Sequence, residues 1–196
     1  DSIASIAADL REALRRTAEH PEWKPAHFEL SFGLKERRAA DPKSTDDPVE
    51  VEGGLKLRGS IDLIERHDDG ELRATDYKTG KVRASRTTVI EGGEILQPVF
   101  YALVLEKLFP GAKVFGGRLW YCTAAGEFTP VEVKLDDEAR GAAKLVASTV
   151  REAIDKGFLP AAPNERACEY CDYKLVCGPY EETRTKRKKQ DKLQGL

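Results

Sequence analysis

Residues 59–78, GSIDLIERHDDGELRATDYK, constrain the fold of this chain more than any other stretch. Two runs that alternate or stay apolar flank His67-Asp68-Asp69-Gly70, and Asp-Gly is a strong two-residue turn signal. The chain is therefore expected to fold back on itself here as an antiparallel hairpin. Side chains two apart on a strand share a face, so Asp76 and Lys78 point together and Tyr77 points away. Asp62 interrupts the apolar run Ile61–Ile64, where an unpaired carboxylate is costly. The hairpin brings Asp62 alongside Asp76 and Lys78.

The remaining segments supply the layers around this hairpin. Residues 3–19 place Ile3, Ile6, Ala7, Leu10, Ala13 and Leu14 at helical spacing, and Pro21 and Pro25 end the helix. Residues 27–34 read as a strand, 35–48 as a polar loop, and 49–51 as the start of another strand. The run 55–65 reads as one strand and 71–78 as its return. Residues 95–108 form a strongly apolar helix that accepts Pro98 in its first turn. A second hairpin follows over 113–123 and 127–135, then an Ala-rich helix over 136–156. This order predicts an α/β fold with a mixed central β-sheet flanked by helices. The expected division is a core over 1–165, a cysteine segment over 166–180 and a basic tail over 181–196.

With 196 residues, 40% of them hydrophobic and 34% charged, the chain suits one domain or one domain with a small appendage. A formal net charge of −2 means that any nucleic-acid contact must come from a local basic face. No apolar run approaches the roughly 18 residues of a membrane span. The amphipathic N-terminus is not a signal peptide, so the expectation is a cytoplasmic protein. The chain has no Met, which reads as a processed or excised segment of something longer.

Two carboxylates and an ammonium converging at a strand end suit phosphodiester hydrolysis. Asp62 and Asp76 can hold Mg²⁺ or Mn²⁺ through oxygen ligands. Lys78 can orient water or stabilise negative charge on phosphorus. The bland alternative is a pair of surface charges on a hairpin. Gln97 and Tyr101, four apart, share a helix face and can reach the same site. The alternative there is a core helix with one polar edge.

In combination, GSIDLIE, ATDYKTGK and QPVFY resemble the RecB-type branch of the PD-(D/E)xK nuclease superfamily over roughly residues 55–180. The acid pair matches Asp62 and Asp76-Tyr77-Lys78, and the Q-x-x-x-Y element matches Gln97 and Tyr101. The resemblance implies a deoxyribonuclease acting in DNA repair or recombination, with DNA as substrate and a helicase domain or subunit as partner. It also implies that the Tyr77 carbonyl is a metal ligand and that a histidine upstream is another. His20 and His27 lack the family's sequence context, which places the expected histidine before residue 1. Glu29 matches an acidic position near the sheet in many relatives, with a structural ion pair as the alternative. No phosphate-binding loop of the motor type occurs around Gly80-Lys81.

Cys168, Cys171 and Cys177 lie within ten residues, a spacing that reads as metal or cluster ligation before disulfide. The segment resembles the C-terminal iron–sulfur signature of AddB-type nucleases, which implies a structural [4Fe–4S] cluster with a fourth cysteine far upstream. Zn²⁺ is the alternative. Cys122 reads as a mid-strand core residue rather than the fourth ligand. The basic run 184–192 reads as a solvated tail with phosphate tracking as the alternative, and Arg83, Arg86, Arg166 and Lys174 are candidate phosphate contacts. Two rival functions are a catalytically inactive DNA-binding or assembly module of the same fold, and a zinc-ribbon scaffold with no nucleic-acid role.

Overall fold

The computed structural model describes residues 2–35, 41–84, 89–90, 93–157, 163, 167–177, 180 and 183. The basic run 184–192, Arg86 and Arg166 lie outside the described residues. The chain divides into two compact units, Asp1–Ala147 and Ser148–Leu196.

The first unit opens with helix α1 (Ser2–Ala18). Strands β1 (Trp23–Phe32), β2 (Val49–Val51), β3 (Leu55–Leu57), β4 (Gly59–His67) and β5 (Leu72–Lys78) follow. Helix α2 (Gln97–Leu108), strands β6 (Val114–Tyr121) and β7 (Thr129–Lys134) and helix α3 (Asp137–Asp155) complete the series. The main sheet has the order β1-β4-β5-β6-β7, and β2 and β3 form a separate pair. All neighbours are antiparallel except β5 and β6, which are parallel. A parallel pair needs a crossover, and α2 is that crossover. The result is the mixed α/β architecture expected from the sequence.

Three element boundaries differ from the sequence reading. Strand β1 begins at Trp23 and passes through Pro25. It is an edge strand with a register shift between Pro25 and His27, and such a position tolerates the missing amide donor. The single strand expected over 55–65 is two, parted at Arg58, because Leu55–Leu57 pairs with β2 while Gly59–His67 pairs with β1. Cys122 lies just past the end of β6, half-buried, and not mid-strand.

Helix α2 is the central packing element. Pro98, Val99, Phe100, Ala102, Leu103, Val104 and Leu105 are buried. Burial of a large apolar side chain stabilises by roughly 1.5–3 kcal/mol, so this helix anchors its face of the sheet. Its first turn presses directly on β6. A Cβ on Gly117 would stand 2.1 Å from the Pro98 carbonyl oxygen, so only glycine permits this approach. Beside it, Ala84, Leu119, Tyr121 and Val131 form a core cluster against which Ile95 packs. Tyr121 Oη accepts the amides of Arg83 and Ala84, each at 3.3 Å, which ties the segment after β5 to β6. The apolar stripe of α1 contributes none of its residues to the core; Ile6, Leu10 and Leu14 are exposed.

The second unit contains the last turns of α3, a 3-10 turn at Ala167–Tyr170 and helix α4 (Lys174–Cys177). Among the described residues no helix is long and apolar enough to cross a membrane.

Candidate active site

The hairpin register fixes the acid pair. Leu63 pairs with Thr75 and Ile64 with Ala74, so continuing the same ladder sets Asp62 opposite Asp76. The main-chain ladder stops at Leu63–Thr75, and a side chain takes over where it stops: Asp62 Oδ2 accepts the Tyr77 amide at 2.8 Å. Ladder amides must be satisfied somewhere. Here one is spent on holding a carboxylate in place.

Asp76 is only 7% exposed, which excludes the reading of simple surface charges for this residue. Its Oδ1 accepts Gln97 Nε2 at 2.9 Å. Lys78 Nζ donates to Gln97 Oε1 at 2.8 Å and stands 2.7 Å from Asp76 Oδ2. That last contact is a short ion pair, which places the buried Oδ2 against the ammonium. Gln97 therefore clasps both the acid and the amine from the first turn of α2. Its reach depends on the Gly117–Pro98 approach that seats this turn on β6. Tyr101, one turn on, meets the Phe32 ring edge-on at 6.3 Å between centroids.

Burial raises the Asp76 carboxyl above the usual aspartate range; the Lys78 ammonium works against this, and the charge of Asp62 adds to it. A desolvated acid next to a second acid is a poor place for two negative charges and a good one for a cation. The donors also fit a hard cation: two carboxylates brought opposite each other by the hairpin register, with oxygen as the donor atom. Among the described residues, however, no group of three or more His, Cys, Asp or Glu side chains is gathered for a metal.

Glu29 adjoins the acid pair, and the other candidates fall elsewhere. Glu29 stands opposite Asp62 in the β1–β4 register and accepts Ser60 Oγ at 3.4 Å. Its φ of 48° is left-handed, a strained conformation for a glutamate and one that clusters at functional sites. His27 pairs with Asp41 at 3.0 Å and packs on Phe109; His20 is exposed beside Glu22. Arg83 is exposed in the segment that follows β5, and Lys174 in the second unit. Cys168 is buried in the 3-10 turn, Cys171 is exposed, and Cys177 ends α4, so the three thiols are not assembled as a metal-holding group. Cys122 Sγ lies 3.6 Å from the Lys78 carbonyl oxygen, tying the end of β5 to β6.

Sequence reasoning missed the reverse face of the hairpin. Glu65 and Arg73, paired in the β4–β5 register, join Thr75 and Arg118 in a buried polar network. The register itself carried a signal for the first two; nothing local pointed to Arg118. Glu65, Arg73 and Arg118 of this network line a cavity of about 390 Å³ together with Trp23, Trp120 and the end of α1. Asp62 and Asp76 are not among the residues that line it.

A comparison with curated proteins returned no match. The sequence profile of the PD-(D/E)XK nuclease superfamily matches residues 3–178, nearly the whole chain. The mixed five-stranded sheet flanked by helices is the arrangement expected of that superfamily. With the profile spanning the whole of the five-stranded sheet, this chain belongs to the PD-(D/E)XK nuclease superfamily.

Proposed function

We propose that the chain is a divalent-metal-dependent deoxyribonuclease that hydrolyses phosphodiester bonds. Asp62, Asp76 and the Tyr77 carbonyl would hold Mg²⁺ or Mn²⁺. The observation that carries this reading is the Asp76 carboxylate: buried, shifted towards its neutral form, held by Gln97 on one oxygen and paired with Lys78 on the other, with Asp62 beside it in the hairpin register. A divalent cation held there supplies Lewis-acid polarisation of a phosphoryl oxygen.

This chain's own residues do the rest. The Lys78 side chain is one-third exposed, and its Nζ, held by Gln97 and Asp76, has three protons and so one more to donate. It can bond a non-bridging phosphate oxygen or orient the attacking water, and it offsets the negative charge that develops on phosphorus. Gln97 keeps acid and amine at a set spacing, so that both meet one phosphate. Tyr101, on the same helix face one turn on, is available to a substrate phosphate or sugar. Attack by water breaks one P–O bond and leaves the phosphate on one fragment and a hydroxyl on the other.

The test is substitution. Asp76→Ala and Lys78→Ala should each abolish Mg²⁺-dependent cleavage of DNA with circular dichroism unchanged; cleavage retained in both refutes the site. DNA repair or recombination as the setting, and a helicase domain or subunit as partner, rest on the resemblance of the motifs to RecB-type nucleases. A second reading, a catalytically inactive DNA-binding or assembly module, is favoured by the lack of a third acidic or histidine side chain gathered at the acids among the described residues. Calorimetric titration with Mn²⁺ separates the two, since the inactive module has no carboxylate-dependent binding.

For Cys168, Cys171 and Cys177 we infer ligation of a structural [4Fe–4S] cluster or Zn²⁺ from their spacing. As placed, the thiols do not fit either group, so no step of hydrolysis is derived through it. Iron, sulfide and zinc analysis of anaerobically purified protein tests the inference, and it fails if all three are absent.

A further inference from the structure

One buried oxygen on the reverse side of the acid-bearing hairpin joins three strands. Glu65, on β4, is 2% exposed. Its Oε2 accepts Thr75 Oγ1 at 2.5 Å and Arg73 Nε at 3.0 Å, both from β5. Arg118 Nη2, from β6, stands 3.0 Å from the same oxygen. Arg118 Nε also donates to Thr75 Oγ1 at 3.1 Å, and Arg73 pairs with Glu132 of β7. Thr75 is fully buried and adjoins Asp76 in sequence.

The position of this clamp matters because of where the ladder opens. Main-chain pairing of β4 with β5 runs up to Leu63–Thr75, immediately before Asp62 and Asp76. From there the spacing of the two strands is left to side chains. On one side is the Asp62–Tyr77 bond; on the other is the Glu65 oxygen, which grips Thr75 at the last ladder pair. Metal ligands need supporting groups that hold them in place, and loss of such support typically weakens metal affinity about 10–100-fold.

We propose that Glu65, Thr75 and Arg118 are positioning residues for the acid pair: by locking β4, β5 and β6 together behind the point where the ladder opens, they set the spacing of Asp62 and Asp76. The inference rests on the reading that these acids hold a divalent cation, and deepens it.

The experiment measures Mn²⁺ affinity by calorimetry and the thermal midpoint in EDTA on the same full chain. Thr75→Val keeps shape but removes the hydroxyl; its Mn²⁺ Kd should rise at least about tenfold. Thr75→Ser, which restores the hydroxyl, should return the Kd to within about threefold of the parent, well inside the range expected for lost support. Val146→Ala, in α3 and away from the clamp, controls for general destabilisation and should lower the midpoint without moving the Kd. If Thr75→Val lowers the midpoint but leaves the Kd unchanged, the clamp is merely structural and the proposal is overturned. Should Thr75→Val fail to fold, Arg118→Lys removes the Nε bond to Thr75 while keeping a cation for Glu65, and carries the same expectation. Asp76→Asn separates the two readings. If it binds Mn²⁺ like the parent, the metal site itself is wrong; if it loses binding while Thr75→Val does not, only the positioning role fails.

Discussion

Replacing Asp76 by asparagine should stabilise the protein without metal and destabilise it, relative to the parent, with metal. The carboxyl sits above the usual aspartate range because burial disfavours its charged form. The folded state therefore binds this proton more tightly than the unfolded state does. The stability linked to the proton is fully present below the unfolded pKa and is lost as pH rises through the higher folded pKa. At neutral pH the ionised acid opposes folding, and a neutral amide of the same shape does not. In EDTA, the Asp76→Asn variant should thus melt higher than the parent at pH 7, with the gap closing as pH falls into the range where Asp76 is protonated. Divalent metal reverses the order. At about 100 times Kd, one-site binding adds roughly 2.7 kcal/mol to the parent. For a chain of this length each kcal/mol moves the midpoint by about 2–4 °C, so Mn²⁺ should raise the parent by roughly 5–11 °C. Scanning calorimetry of both proteins, with EDTA and with Mn²⁺ over a range of pH, reads all of this. A variant that melts below the parent in EDTA, or that keeps the full Mn²⁺ shift, would refute the reasoning.

Two further outcomes concern the helix that carries Gln97. Gln97→Ala releases both Asp76 Oδ1 and Lys78 Nζ, and should cut cleavage about 100-fold by misplacing the reacting groups while moving the melting midpoint little. A rate close to that of the parent would remove Gln97 from the site. Gly117→Ala puts a methyl 2.1 Å from the Pro98 carbonyl oxygen, with backbone on the far side. It should cost about 1–3 kcal/mol by overpacking and also lower cleavage, because it lifts the turn that holds Gln97. Urea unfolding with a parallel activity assay checks both effects, and full activity in a destabilised variant would uncouple the helix seat from the site.

Much of the site was legible because its residues obey local periods. Asp76 and Lys78 are two apart on a strand, Gln97 and Tyr101 four apart on a helix, and an Asp-Gly turn sets the hairpin that brings Asp62 in. What was not legible depends on pairing between distant segments. Arg118 reaches Glu65 from the far side of the α2 crossover, and no periodicity in either segment announces it. The break at Arg58 is hidden because LKL and GSIDLIE both read as strand, and only their different partners divide them. Trp23–Ala26 was lost to Pro25, a residue that argues against a central strand but not against an edge. The left-handed backbone at Glu29 has no sequence signature, since glutamate is not a residue that favours it.

The Tyr77 amide, given to Asp62 instead of to a neighbouring strand, makes that one hydrogen a built-in reporter. Strand β5 has partners on both edges, so exchange of its other ladder amides should require the sheet to come apart. The Tyr77 proton answers to a carboxylate alone, and whatever draws on the electron density of Asp62 will show first in its chemical shift and its exchange rate with solvent.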